Sequence, residues 1–176
     1  MTYATRLTQA TADRGRLCVG IDPMPSVLDA WGLSRDVAGL EACARGIVEA
    51  LGDRVAVFKP QSAFFEAYGS AGVAVLERLL RDIRAAGALS LLDVKRGDIG
   101  SSMAGYAAAH LGEGAPLWAD AITVSPYLGV GALRPAIDAV RGTSSIAEVA
   151  LCYSLYLLTA AAEIYTLDYY LRLAEQ

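Results

Sequence analysis

Leu89–Gly100 reads LSLLDVKRGDIG. Its first half is a continuous apolar run of strand length, the pattern of a parallel strand buried on both faces. Its second half carries Asp93, Lys95, Arg96 and Asp98 around Gly97. Asp93 and Lys95 are two residues apart, so at a strand end their side chains point the same way. Asp98 follows across a glycine-containing loop that can fold it back. The stretch therefore predicts a buried strand with a charged cluster at its carboxyl end.

The pattern repeats on both sides. Strands are predicted over Leu17–Asp22 (LCVGID), Val55–Lys59 (VAVFK), Leu89–Val94 and Asp120–Ser125 (DAITVS). Amphipathic stretches lie between and after them: Asp36–Leu51 with Ser34 as N-cap, Val73–Ala86, Ser102–Leu111 and Ala132–Arg141. Each is followed by a glycine, Gly52, Gly87, Gly112 or Gly142, read as the left-handed residue that ends a helix. A βα unit repeated four times means an α/β chain, either an open doubly wound sheet or a (β/α)8 barrel. Asp22, Lys59, Asp93, Lys95 and Asp98 fall at or just past the ends of three strands, as on the βα loops of a barrel. An open sheet would gather them only at its switch point. No GxGxxG follows the first strand and no GxxxxGK(S/T) occurs. The expected fold is of the (β/α)8 TIM-barrel type, shortened to about four βα units with a helical C-terminal tail.

Composition narrows the function. The 176 residues are 55% hydrophobic and 19% charged with a net charge of −4, which excludes a disordered chain. No basic stripe is present, so no nucleic-acid partner is expected. Cys18, Cys43 and Cys152 are too few and scattered for a disulfide framework or a zinc site, and His110 is the one histidine. No metal is expected. Met1–Arg16 lacks the apolar core of a signal peptide, so a reduced, cytoplasmic protein is expected. Of fifteen basic residues only Lys59 and Lys95 are lysine. Lysine can give up a proton and arginine effectively cannot. This economy draws attention to both positions.

The text changes at Gly142. Every glycine and proline lies at or before it, and five of the nine tyrosines lie after it. The chain is accordingly divided into 1–142, the half-barrel, and 143–176, an atypical apolar tail read as helical. The uncharged run Val149–Ala162 falls short of the ~20 residues of a membrane span. A helix covering the open half-barrel fits the tail, and a frame change or gene truncation fits it better. A half-barrel of four strands exposes edges on its first and fourth strands, which invites self-association.

Two readings of the charged cluster stand on spacing alone. Lys95 between Asp93 and Asp98 stays protonated and can donate a proton, and Lys59 from the neighbouring strand completes an alternation of four charges, a preorganised electrostatic site. The other reading is a salt-bridge network closing one end of a barrel. The lysine economy favours chemistry.

DVKRGDI at Asp93–Ile99 resembles the Asp-x-Lys-x-x-Asp signature of the orotidine 5′-monophosphate decarboxylase superfamily. VGIDP (Val19–Pro23), FKPQSAFFE (Phe58–Glu66), LLDVKRGDIGSSM (Leu91–Met103) and ADAITVSPYLGVGALRP (Ala119–Pro135) are similar to the longer, bacterial branch of those decarboxylases, over about residues 6–142. Magnesium-dependent sugar-phosphate lyases share the signature but carry a glutamate on the second strand, where this chain has Lys59. The resemblance implies decarboxylation of orotidine 5′-monophosphate to uridine 5′-monophosphate without a cofactor. It implies that Asp22 contacts ribose hydroxyls, Lys59 bridges the ribose and Asp93, and Asp93 lies beside the substrate carboxylate. It implies that Lys95 protonates C6, and that Asp98 and Ser102 complete the site of a partner in a homodimer. The serine, glutamine and phosphate-binding arginine of the family's later strands have no match after Gly142. A non-catalytic, self-associating fragment is therefore the alternative to the enzyme, and a sugar-phosphate lyase a further one.

Overall fold

The computed structural model describes residues 2–112, 114–141 and 148–151. Its frame is an all-parallel sheet in the order β1-β2-β3-β4-β5: Cys18–Ile21, Val57–Pro60, Leu89–Arg96, Ala121–Val124 and Glu148–Leu151. Helices α1 to α7 cover Tyr3–Arg14, Pro25–Ala30, Val37–Leu51, Ser62–Glu66, Gly69–Ala85, Gly100–His110 and Arg134–Arg141. Strands that pair strictly in chain order, with helices between them, form a barrel wall; an open doubly wound sheet reverses direction at a switch point. The barrel-type reading therefore holds.

Alternation along the strands produces two apolar clusters. Ile21, Phe58, Leu92, Val94, Ile122 and Val124 pack with Leu40, Leu76, Leu79, Ile83 and Met103 from the covering helices. Ala56, Val57 and Leu89 instead meet Leu7 of α1, with Tyr3, Ala10 and Leu91 around them. Burying one such large side chain is worth about 1.5–3 kcal/mol, so each helix is held by its apolar stripe.

Sequence patterns do not single out α1, α2 and α4. The role of α1 is to cross the amino ends of the strands. Arg14 donates to the carbonyls of Gly52 (2.8 Å) and Ala86 (3.1 Å), and Arg6 meets the buried Asp120 at 2.6 Å, off hydrogen-bond alignment. Asp120 also accepts from the Ser90 amide (2.8 Å) and hydroxyl (2.9 Å). Asp120→Ala strips a buried acceptor from two donors and an anion from Arg6 at once. It is expected to lower stability by about 2–4 kcal/mol, read as a lower urea midpoint; an unchanged midpoint would show that α1 is held by apolar contacts alone.

Several local expectations are corrected. The N-cap of α3 is Asp36, which accepts from the Gly39 amide at 2.9 Å; Ser34 donates its hydroxyl to Asp36. Gly87 has the expected left-handed φ of 72°, but Gly52 is helical at −60°. Gly52 is needed for room, because a Cβ there would stand 2.7 Å from the Ala86 Cβ. Gly142 lies outside the described residues. Within 143–176 the described residues are Glu148–Leu151, and they form a strand paired with β4 rather than a helix; the rest of the expected helical tail lies outside the described residues. β4 is therefore no edge, while β1 pairs with β2 alone among the described strands.

Candidate active site

Three strand ends meet to build the charged cluster. β2 brings Lys59 and, just past its end, Gln61; β3 brings Asp93 and Lys95; β4 brings Thr123. Asp93 is 3% exposed and is bonded at both oxygens. Oδ2 accepts from Lys59 Nζ and from Gln61 Nε2 at 2.9 Å, and Lys95 Nζ is ion-paired with it at 2.7 Å. Oδ1 accepts from the Thr123 hydroxyl at 2.7 Å. Lys95 Nζ also donates to Gln61 Oε1 at 3.2 Å.

Burial alone would raise the Asp93 pKa. The two ammonium groups and the Thr123 hydroxyl outweigh it and hold the carboxyl down at about 2. Asp93 is therefore an anion at neutral pH, and its charge faces two cations. Lys95 is the more open of these, its side chain 55% exposed against 35% for Lys59. An anchored anion below and a half-open cation above is an arrangement that can both attract an anionic substrate and deliver a proton to it.

The loop after β3 is held by close approach. The Arg96 carbonyl accepts from the Ser125 amide at 2.7 Å, and a Cβ on Gly97 would stand 2.2 Å from the Ser125 carbonyl oxygen. Gly97 is thus required by contact with the end of β4. Behind it, Arg96 pairs with Glu66 at 2.6 Å and lies 5.3 Å from the centre of the Tyr106 ring, and Ser62 donates to Glu66 at 2.7 Å. These contacts tie α4 and α6 to the residue that follows Lys95.

The sequence-predicted residues separate into two groups. Lys59, Asp93 and Lys95 come together. Asp22 is half-buried past the end of β1, its carboxylate over Gly20, which is in register with Lys59; a Cβ on Gly20 would stand 2.7 Å from Asp22 Oδ2. Asp98 and Ser102 stand apart from the cluster within one chain. Asp98 is half-buried and accepts from the Ile99 amide at 2.7 Å, and Ser102 is exposed on the first turn of α6. The expected alternation of four charges is therefore three charges plus an outlying Asp98.

Gln61 and Thr123 join the cluster without having been expected there. Gln61 is two residues past Lys59, the same spacing that placed Asp93 and Lys95 together. Thr123 is a polar residue within an otherwise apolar central strand, where an unpaired hydroxyl would be costly.

His110 is also buried, at the end of α6. Burial pushes its imidazole pKa down, and the nearby Arg96 cation adds to this, against the Leu117 backbone and Glu66. The unfolded chain then takes up a proton near the ordinary imidazole value of about 6.5 before the folded chain does. Stability is expected to fall as pH drops below that value. Asp93 adds a second loss from the ordinary carboxylate range down to about 2. Urea midpoints between pH 8 and 5 should decline, and His110→Gln should flatten the decline; an equal slope in both proteins would contradict this.

A family model for orotidine 5'-phosphate decarboxylase / HUMPS matches residues 15–168. The chain belongs to this family. The match runs past Gly142, beyond the stretch over which the motifs resemble the decarboxylases. The chain is 64% identical over 137 residues to an orotidine 5'-phosphate decarboxylase of Salinispora arenicola, covering 78% of this chain and 49% of that protein. It is 61% identical over 139 residues to one of Streptomyces coelicolor, covering 79% and 50%. A solved Streptomyces avermitilis protein, provisionally given the same name, superposes with a TM-score of 0.81 at 60% identity, over 84% of this chain and 52% of that one. The OMP decarboxylase of Leishmania donovani superposes at 0.69 with 29% identity, over 94% and 61%. The chain spans about half the length of the curated relatives it matches.

Proposed function

We propose that this chain carries the reactive cluster of an orotidine 5'-monophosphate decarboxylase, which converts its substrate to uridine 5'-monophosphate and carbon dioxide. The observation that carries the reading is Asp93: a buried anion fixed between two lysines at the mouth of a parallel barrel wall. In the proposed reaction the bond from C6 to the carboxylate breaks and carbon dioxide leaves. The electron pair stays on C6, and Lys95 Nζ supplies the proton that forms the C6–H bond; water then reprotonates Lys95. The ammonium sits where negative charge develops, so its attraction grows toward the transition state. Asp93 holds that ammonium in place and lies beside the departing carboxylate. No cofactor is needed.

Asp22 and Lys59 are proposed to hold the ribose hydroxyls, Asp22 being held open by Gly20 opposite Lys59 in the ladder. Asp98 and Ser102 are proposed to reach the site of a second copy in a homodimer. Their position outside the cluster supports this, as do the exposed apolar side chains Ile99, Tyr127, Leu128 and Val130 on the adjoining loops. Among the described residues no helix is long and apolar enough to cross a membrane. Among the described residues Cys18 and Cys43 are free thiols; a reduced, cytoplasmic setting is proposed.

The sugar-phosphate lyase reading calls for a glutamate on the second strand beside a magnesium ion, and this chain has Lys59 there. The test is the fall in orotidylate absorbance on adding purified protein, with and without a chelator. Chelator-insensitive turnover supports the decarboxylase. Orotidylate turnover lost on chelation would contradict a metal-free decarboxylase, and no turnover at micromolar protein with a folded circular-dichroism spectrum favours the lyase or the non-catalytic alternative.

A further inference from the structure

We propose that Thr123 is a positioning residue for Lys95 and Asp93, its one hydroxyl donating to the carboxylate and accepting from the lysine's backbone N–H. Its catalytic consequence rests on Lys95 being the proton donor; its geometry does not.

β3 and β4 pair in register at Leu91 with Ala121 and Leu92 with Ile122, then slip, so that the next pair is Arg96 with Val124. Residues 93–95 of β3 thus lie opposite Thr123 alone. A bulge of this kind bends the strand and re-aims its side chains. Within it Lys95 has φ of 48°, the one positive φ on a non-glycine among the described residues. That conformation is disfavoured and persists only where neighbours enforce it. The neighbour is Thr123 Oγ1, which accepts from the Lys95 amide at 2.9 Å. The same oxygen donates its proton to Asp93 Oδ1 at 2.7 Å. A hydroxyl has one proton and two lone pairs, so each bond orients the other. With Oδ1 so occupied, Oδ2 is left to gather Lys59, Lys95 and Gln61. Thr123 is 2% exposed, so water does not compete for either bond.

Two lysines in the whole chain make the test direct. A chain labelled with ¹⁵N and ¹³C in lysine gives two side-chain signals and two backbone amides. Thr123→Val keeps the shape and removes the hydroxyl; Thr123→Ser keeps the hydroxyl. In Thr123→Val the Lys95 amide is expected to exchange with solvent about tenfold faster, and the Lys95 side-chain signal to move by more than that of Lys59. Thr123→Ser is expected to restore both. Where orotidylate turns over, kcat should fall by roughly 10- to 100-fold in Thr123→Val with KM within about twofold. Unchanged Lys95 exchange, a serine variant that behaves like valine, or equal movement of both lysine signals would overturn the proposal. If Thr123→Val does not fold, Thr123→Ala is read by the same criteria. Absent turnover in the wild-type chain counts against the decarboxylase, and the lysine signals then decide the role of Thr123 by themselves.

Discussion

Lys95→Ala is expected to remove orotidylate turnover by a factor of at least about a thousand. Losing a general acid alone costs about 10²–10⁴-fold. In the proposed reaction the same group is also the cation set against the developing carbanion, and removing one such electrostatic partner is itself worth about 10²–10³. Folding should be little affected. The Lys95 side chain is 55% exposed and Asp93 keeps Lys59, Gln61 and Thr123. An intact circular-dichroism spectrum with no absorbance change is the expected pair of results. Turnover within tenfold of wild type would move the proton donor elsewhere.

Asp93→Ala is expected to damage both stability and activity. It removes the acceptor of three hydrogen bonds and one ion pair, and takes their shared anion from both lysines. A carboxyl held at about 2 instead of near 3.8 contributes on the order of 2–3 kcal/mol at neutral pH. The full penalty for an unpaired buried charge, about 3–5 kcal/mol, does not apply, because both lysines can turn toward water. The expected loss is therefore about 2–3 kcal/mol at pH 7, with turnover down at least about a hundredfold. Because the Asp93 pKa is lowered on folding, its contribution is present above the ordinary carboxylate range and fades as pH falls toward 2. Urea midpoints of variant and wild type should draw together between pH 7 and pH 3. A gap that is constant with pH would assign the loss to packing rather than to the charge.

Much of this is legible in the sequence because parallel strands buried on both faces leave long apolar runs, and polar residues at their ends stand out. LSLLDV marks β3, and Asp93 and Lys95 two apart mark the cluster. What escapes a reading of the sequence does so for physical reasons. α1 carries few apolar residues, since it covers the strand ends through Leu7, Arg6 and Arg14. β5 is four residues, too short for a period to show, in a segment that otherwise lacks the glycines and prolines that punctuate strands. Thr123 reads as one more β-branched strand residue; only the slipped register of β3 gives its hydroxyl two partners. Asp98 directly follows Gly97, and a glycine there leaves the direction of the next side chain open. In the fold Asp98 turns to the Ile99 amide rather than to the cluster.

The cluster as a decarboxylating site is the central claim, and release of labelled carbon dioxide from carboxyl-labelled orotidylate tests it most directly. The purified chain should release label with a chelator present, and Lys95→Ala, folded to the same extent, should release none above background. Equal release by both proteins, or none from the folded wild-type chain, would contradict it.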